Sequence, residues 1–122
     1  MSEVDREKLL TETYEAFNRR DIDGVLGVLT PDIDWPNAWE GGRVVGHARV
    51  RDYWTRQWAE LAPTVTPISF SHRAPGTVVV RVHQIARDLE GAVLSDGHVL
   101  HVYVFNGPLV SRMDVEELGP DS

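Results

Sequence analysis

The sequence predicts an α+β domain in which three N-terminal helices pack on one face of a curved, mainly antiparallel sheet. Three observations lead there. Apolar residues recur at helical spacing through the first half of the chain. From Thr64 onward they follow a strand pattern, in four runs separated by turn residues. At 122 residues the chain suits a single core, so residues 1–122 read as one domain.

Ser2-x-x-Asp5 has the form of a capping box, and Leu10, Tyr14 and Phe17 follow as one apolar stripe. Asn18-Arg19-Arg20 ends that first helix. Asp21 can cap a second, which buries Ile22, Val25, Leu26 and Leu29; Thr30-Pro31 stops it. Ile33-Asp34-Trp35 is long enough only for an edge strand, and residues 36–46 read as a loop. A third helix spans about His47 to Leu61, with Val50, Tyr53, Trp54, Gln57, Trp58 and Leu61 along one side. The four strand runs are 64–72, 77–89, 93–105 and 109–117. Pro75-Gly76, Glu90-Gly91 and Asn106-Gly107-Pro108 join them, and joints this short require antiparallel neighbours.

A net charge of −7, with twelve basic residues scattered along the chain, argues against a nucleic-acid partner, which needs a concentrated basic surface. With no cysteine there is no disulfide, thiolate metal site or cysteine nucleophile. No apolar run is long enough to span a bilayer, and the acidic N-terminus has no signal-peptide core, so no membrane partner and a cytoplasmic location are expected. Ser69, Ser71, Ser95 and Ser111 lack a nucleophile-elbow motif.

Four stretches carry a family resemblance. They are Tyr14-Glu-Ala-Phe-Asn18-Arg-Arg-Asp21-Ile-Asp-Gly24, Leu29-Thr-Pro-Asp32-Ile-Asp-Trp35, Gly46 followed by Val50-Arg-Asp-Tyr53-Trp54, and Gly107-Pro-Leu-Val110-Ser-Arg-Met-Asp114. Together they resemble the SnoaL-like branch of the nuclear transport factor 2-like superfamily. The resemblance implies a cone-shaped fold whose concave sheet face meets the helices around a small-molecule cavity. It also implies that His83, His101, Tyr103 and Asp114 face the cavity, while Val80, Val82, Val102 and Val104 face outward as a homodimer surface.

On that reading Asp114, His83 and His101 are the candidate catalytic residues. Asp114 would act as acid or base, and a histidine would hold it or polarise a carbonyl. Tyr103, Arg112, Tyr14, Trp35, Asn37, Trp39, Trp54 and Trp58 would bind substrate as walls and mouth. A structural reading stands beside each role. The histidines could be core residues paired across strands, Asp114 could pair with Arg112, the aromatics could be core, and Asn37 could be a turn residue.

In the steroid isomerases that resemble this chain, the catalytic base falls at Asn37, the first-helix tyrosine at Thr13 and the pocket acid at His101. Their mechanism is therefore not expected here. The epoxide hydrolases need an Asp–Arg–Asp set, of which only Asp114 and a nearby arginine are visible. The SnoaL-like cyclases use an aspartate on a late strand, for which Asp114 is the counterpart. No cofactor is expected, and no metal. His98 and His101 point to opposite faces of a strand, and nothing in the spacing requires a His83–His101–Asp114 site. The expected partner is a small molecule. It would meet a cofactor-independent isomerase, cyclase, dehydratase or hydrolase, with a non-catalytic binding module or a structural homodimer as alternatives.

Overall fold

The computed structural model describes residues 1–118. Helix α1 (Glu3–Asn18) opens with the expected capping box: Ser2 Oγ accepts from Asp5 N at 3.1 Å, and Asp5 Oδ2 accepts from Ser2 N at 3.2 Å. It closes in a Schellman turn, with Asp21 N bonding Ala16 O and Arg20 N bonding Phe17 O. Arg20 supplies the left-handed residue at φ 66° where glycine is usual. Its guanidinium lies over Trp58, 5.1 Å from the ring centroid, a cation–π contact that offsets part of the backbone cost. Helix α2 (Ile22–Leu26) is a short turn capped by Asp21. Leu29, expected on that helix, instead begins a strand. Helix α3 (His47–Trp58) turns Val50, Tyr53 and Trp54 inward.

Six strands form one sheet in the order β2-β1-β6-β5-β4-β3. They are β1 (Leu29–Pro36), β2 (Arg43–Val45), β3 (Leu61–Ala74), β4 (Thr77–Asp88), β5 (Val93–Asn106) and β6 (Leu109–Glu117). Strands β3 to β6 form the expected antiparallel meander. Two features differ from expectation. Residues read as loop contain β2, and β1 is not an edge strand but lies between β2 and β6, parallel to the latter. The sheet is therefore mixed, and the helices do not form one N-terminal block: α3 follows β1 and β2 in the chain.

The core lies between the inner sheet face and the helices. Val78, Val80 and Val82 of β4 are fully enclosed there, with Leu10, Val25, Ile33, Val50, Trp54 and Val110. Asn18 ties the end of α1 to β3: its Nδ2 donates to Val65 O at 2.8 Å, and its Oδ1 accepts from Val65 N at 3.0 Å. The amide thus serves as one more strand neighbour for the β3 backbone. Near the other end of α1, the His72 ring meets Glu7 at 2.7 Å. These contacts hold α1, and with it Tyr14, over the sheet.

The facing of the strands departs from expectation in two places. Directly paired residues in an antiparallel ladder share a face, and His101 pairs with Val80 on one side and Val115 on the other. The inner residues of β4 are therefore Val78, Val80, Val82 and Gln84, while His83 lies outside opposite His98. The expected outer surface keeps Val102 and Val104 but loses Val80 and Val82 to the core. On β6 a bulge leaves Ser111 unpaired between Arg112, opposite Val104, and Val110, opposite Phe105. One extra residue reverses the alternation. Val110 and Met113 therefore both face inward, and Arg112 and Asp114 face outward.

Candidate functional site

A cavity of about 130 Å³ opens between α1, α3 and the inner sheet face. Tyr14 and Phe17 of α1 form one wall, and Tyr53, Trp54 and Gln57 of α3 form another. The sheet contributes Trp35, Val65, Gln84, His101, Tyr103 and Met113, among others. The aromatic wall is a rigid cluster: Trp54 meets Trp35 edge-on at 5.4 Å and Phe17 edge-on at 5.8 Å. Such pairs add about 1 kcal/mol each beyond area burial.

At the floor three side chains form one buried hydrogen-bonded chain. The Tyr103 hydroxyl donates to Tyr14 Oη at 2.7 Å, and Tyr14 Oη lies 2.8 Å from His101 Nδ1. Burial sets the protonation of all three. It pushes the His101 imidazolium down to about 4, so the ring is neutral at physiological pH. Burial also raises both phenols above their ordinary 10. The floor therefore carries no net charge and relies on neutral hydrogen bonds.

The expected catalytic trio is not assembled. Of its members only His101 reaches the cavity. Asp114 lies on the outer face in a four-membered ring of alternating charges. Arg43 bonds Asp34 at 2.7 Å and Asp114 at 2.8 Å, and Arg112 bonds Asp34 at 2.8 Å and Asp114 at 2.7 Å. Hydrogen bonds from Arg112, reinforced by Arg43, hold the Asp114 carboxyl below its ordinary 3.8, against a smaller opposing effect of burial. That is the wrong direction for a proton carrier at neutral pH. Arg112, expected in the substrate site, belongs to the same ring. His83 is also outside, bonded to Asp96 at 2.5 Å and stacked on His98 at 4.7 Å. With His83 and Asp114 on one face and His101 on the other, no joint metal site of the three can form.

Among the expected wall residues, Tyr14, Trp35, Trp54 and Tyr103 line the cavity. Trp58 stacks on Trp54 at 5.8 Å and Trp39 packs against the core; neither belongs to the lining. Asn37 is the turn residue of its alternative reading: its side chain bonds Glu40 N at 2.7 Å and Glu40 Oε1 at 3.1 Å. Residues not singled out from sequence include Thr13, Phe17, Tyr53, Gln57, Val65, Gln84 and Met113. Tyr53 and Gln57 were legible in the apolar side of the third helix. Gln84 and Met113 were not, because the strand pattern left their facing open.

A family model described as a SnoaL-like domain matches residues 10–113. Comparison with curated proteins found no match. Among solved structures, the chain resembles an NTF2-like protein of unknown function from Burkholderia pseudomallei K96243. The identity is 25% and the TM-score 0.81, over 97% of this chain and 92% of that one. It shares its fold with TerC co-crystallized with polyporic acid, at 23% identity and TM-score 0.78, over 93% and 91% of the two chains. It shares it too with Rv0760c of Mycobacterium tuberculosis in complex with estradiol-17beta-hemisuccinate, at 16% identity and TM-score 0.78, over 96% and 95%. No helix among the described residues is long and apolar enough to cross a membrane.

Proposed function

The chain belongs to the SnoaL-like domain family of the nuclear transport factor 2-like superfamily, and we propose that its cavity binds a small, largely apolar, ring-bearing molecule. The carrying observation is the lining itself: aromatic and aliphatic walls over a floor whose titratable groups are all neutral at pH 7. Such a site favours flat apolar ligands and discriminates against ions, whose desolvation nothing inside repays. Size points the same way. An apolar cavity of about 150 Å³ accommodates benzene, so about 130 Å³ suits one ring, with any further part of the ligand extending through the mouth. Bound small molecules in two proteins of the same fold, TerC and Rv0760c, add support.

Binding without acid–base turnover is the reading the residues favour. The carboxylate that would have carried proton transfer is committed to two arginines on the opposite sheet face. Titrating the protein with α-methylstyrene should quench the fluorescence of Trp35 and Trp54, and the compound should be recovered unaltered. Val65→Phe, which fills the cavity from β3, should abolish the quench. A flat titration of the unmodified protein would sink the reading, and recovery of a chemically changed compound would replace it with catalysis.

A further inference from the structure

Resting on that reading of the cavity, we propose that His101 Nε2–H is a recognition donor that selects ring-bearing ligands carrying an uncharged carbonyl oxygen. Tyr14 and Tyr103 are the positioning residues that hold the imidazole in this tautomer.

The direction of the buried chain follows from counting hydrogens. Three arrangements fit the distances. In one, Tyr103 O–H donates to Tyr14, Tyr14 O–H donates to His101 Nδ1, and the single hydrogen of the neutral ring sits on Nε2. In the second, Nδ1–H donates to Tyr14 and Tyr14 donates to Tyr103, so the Tyr103 hydrogen has no acceptor among the described residues; in the third, Nδ1–H and Tyr103 O–H both donate to Tyr14, and the Tyr14 hydrogen has none. Tyr103 and Tyr14 are 3% and 5% exposed, whereas His101 Nε2 is not a sealed atom, so the one hydrogen left over is least costly on the ring. The first arrangement pairs every hydrogen up to the last. That last one, on Nε2, is the end of the chain.

Nε2 has no partner among the described residues. Nor is it one of the sealed side-chain atoms without a hydrogen bond there, which are Arg6 Nε, Thr30 Oγ1 and Trp58 Nε1. Its ring lines the cavity, so the free edge is reachable from the ligand space. The ladder neighbours of His101 on this face are Val80 and Val115, which offer no competing acceptor. A wholly apolar ligand that covers this N–H strips it of water and returns nothing. A carbonyl oxygen replaces the water, while a phenol or alcohol hydroxyl would point donor at donor unless it turned its lone pair inward.

Acetophenone and α-methylstyrene test this, because they share one shape and differ in C=O against C=CH2. NMR titration should show acetophenone bound more tightly by about tenfold. Tyr14→Phe frees Nδ1 and should bring the ratio of the two affinities towards parity, whatever it does to either affinity alone; a merely structural loss would weaken both alike and leave the ratio unchanged. Nitrogen-15 spectra of labelled histidine should show the Nε2–H tautomer of His101 in the unmodified protein and a mixture in Tyr14→Phe. Equal binding of the two compounds, a preference for phenol over acetophenone, or an Nδ1–H tautomer overturns the inference and leaves the cavity reading intact. Binding of neither compound overturns both.

Discussion

The two faces of the sheet handle polar residues in opposite ways. On the inner face His101, Tyr14 and Tyr103 are enclosed, so each stays neutral and pairs with its neighbour. On the outer face Arg43, Asp34, Arg112 and Asp114 are each roughly a third to a half exposed and alternate in sign. The inner chain sits on β5 and α1 and the outer ring on β1, β2 and β6, but the same sheet carries both, and the β4–β5 pair holds His101 inside and His83 with His98 outside. The difference is desolvation. Where water is removed the charged form is lost, and where water remains the charges persist but contribute little net stability. His101 is thus a neutral member of a buried chain, while His83 on the outer face meets an aspartate at the surface.

The contrast can be broken most severely by forcing outer-face chemistry inward. Val80 is 0% exposed and sits beside His101. Val80→Asp buries a carboxylate in the apolar core and should cost about 4 kcal/mol, read as a large fall in the urea midpoint.

Smaller, and separable by pH, is the contribution of His101. Its folded value of about 4 lies below its ordinary 6.5. Between those limits the unfolded chain takes a proton that the folded chain refuses. The associated stability is complete above pH 6.5 and is lost as pH falls towards 4, by up to about 3 kcal/mol. Unfolding measured from pH 7 to pH 4 should show this slope, and His101→Phe should remove it. Asp114 behaves differently. Its carboxyl is also depressed, but from 3.8, so its contribution persists through that window and is lost only at still lower pH. An unchanged slope in His101→Phe would mean that the inner face is wetter than its burial implies.

The mildest change is Asp114→Asn. It opens the outer ring of charges and should cost about 0.5 kcal/mol at pH 7, with ligand titration unaltered. Loss of ligand binding in that variant would show that the two faces are coupled.

Much of the fold is legible in local signals. Ser2 and Asp5 mark the start of α1, Asp21 caps α2, and Asn106-Gly107 turns β5 into β6 with Gly107 at φ 61°. These signals act within a few residues, where steric and hydrogen-bonding preferences are strong. The floor of the site is partly legible as well: Tyr14, His101 and Tyr103 are all named by sequence reasoning. The partners assigned to them are not. Val78, Val79, Val80 and Val82 form an apolar run with no alternation to show which side of β4 faces in. Ser111 carries no mark of the bulge that reverses β6.

The sequence by itself thus determined the α+β class, the caps and turns, the family and the aromatic, histidine-bearing character of the cavity. Tertiary structure alone decided that β1 enters the sheet interior, that His83 and Asp114 face outward, and that His101 meets two phenols rather than a carboxylate. The reason is the two-residue period of a strand. Shifting the register by one residue exchanges the faces completely, and the register is set by pairing between strands far apart in the chain.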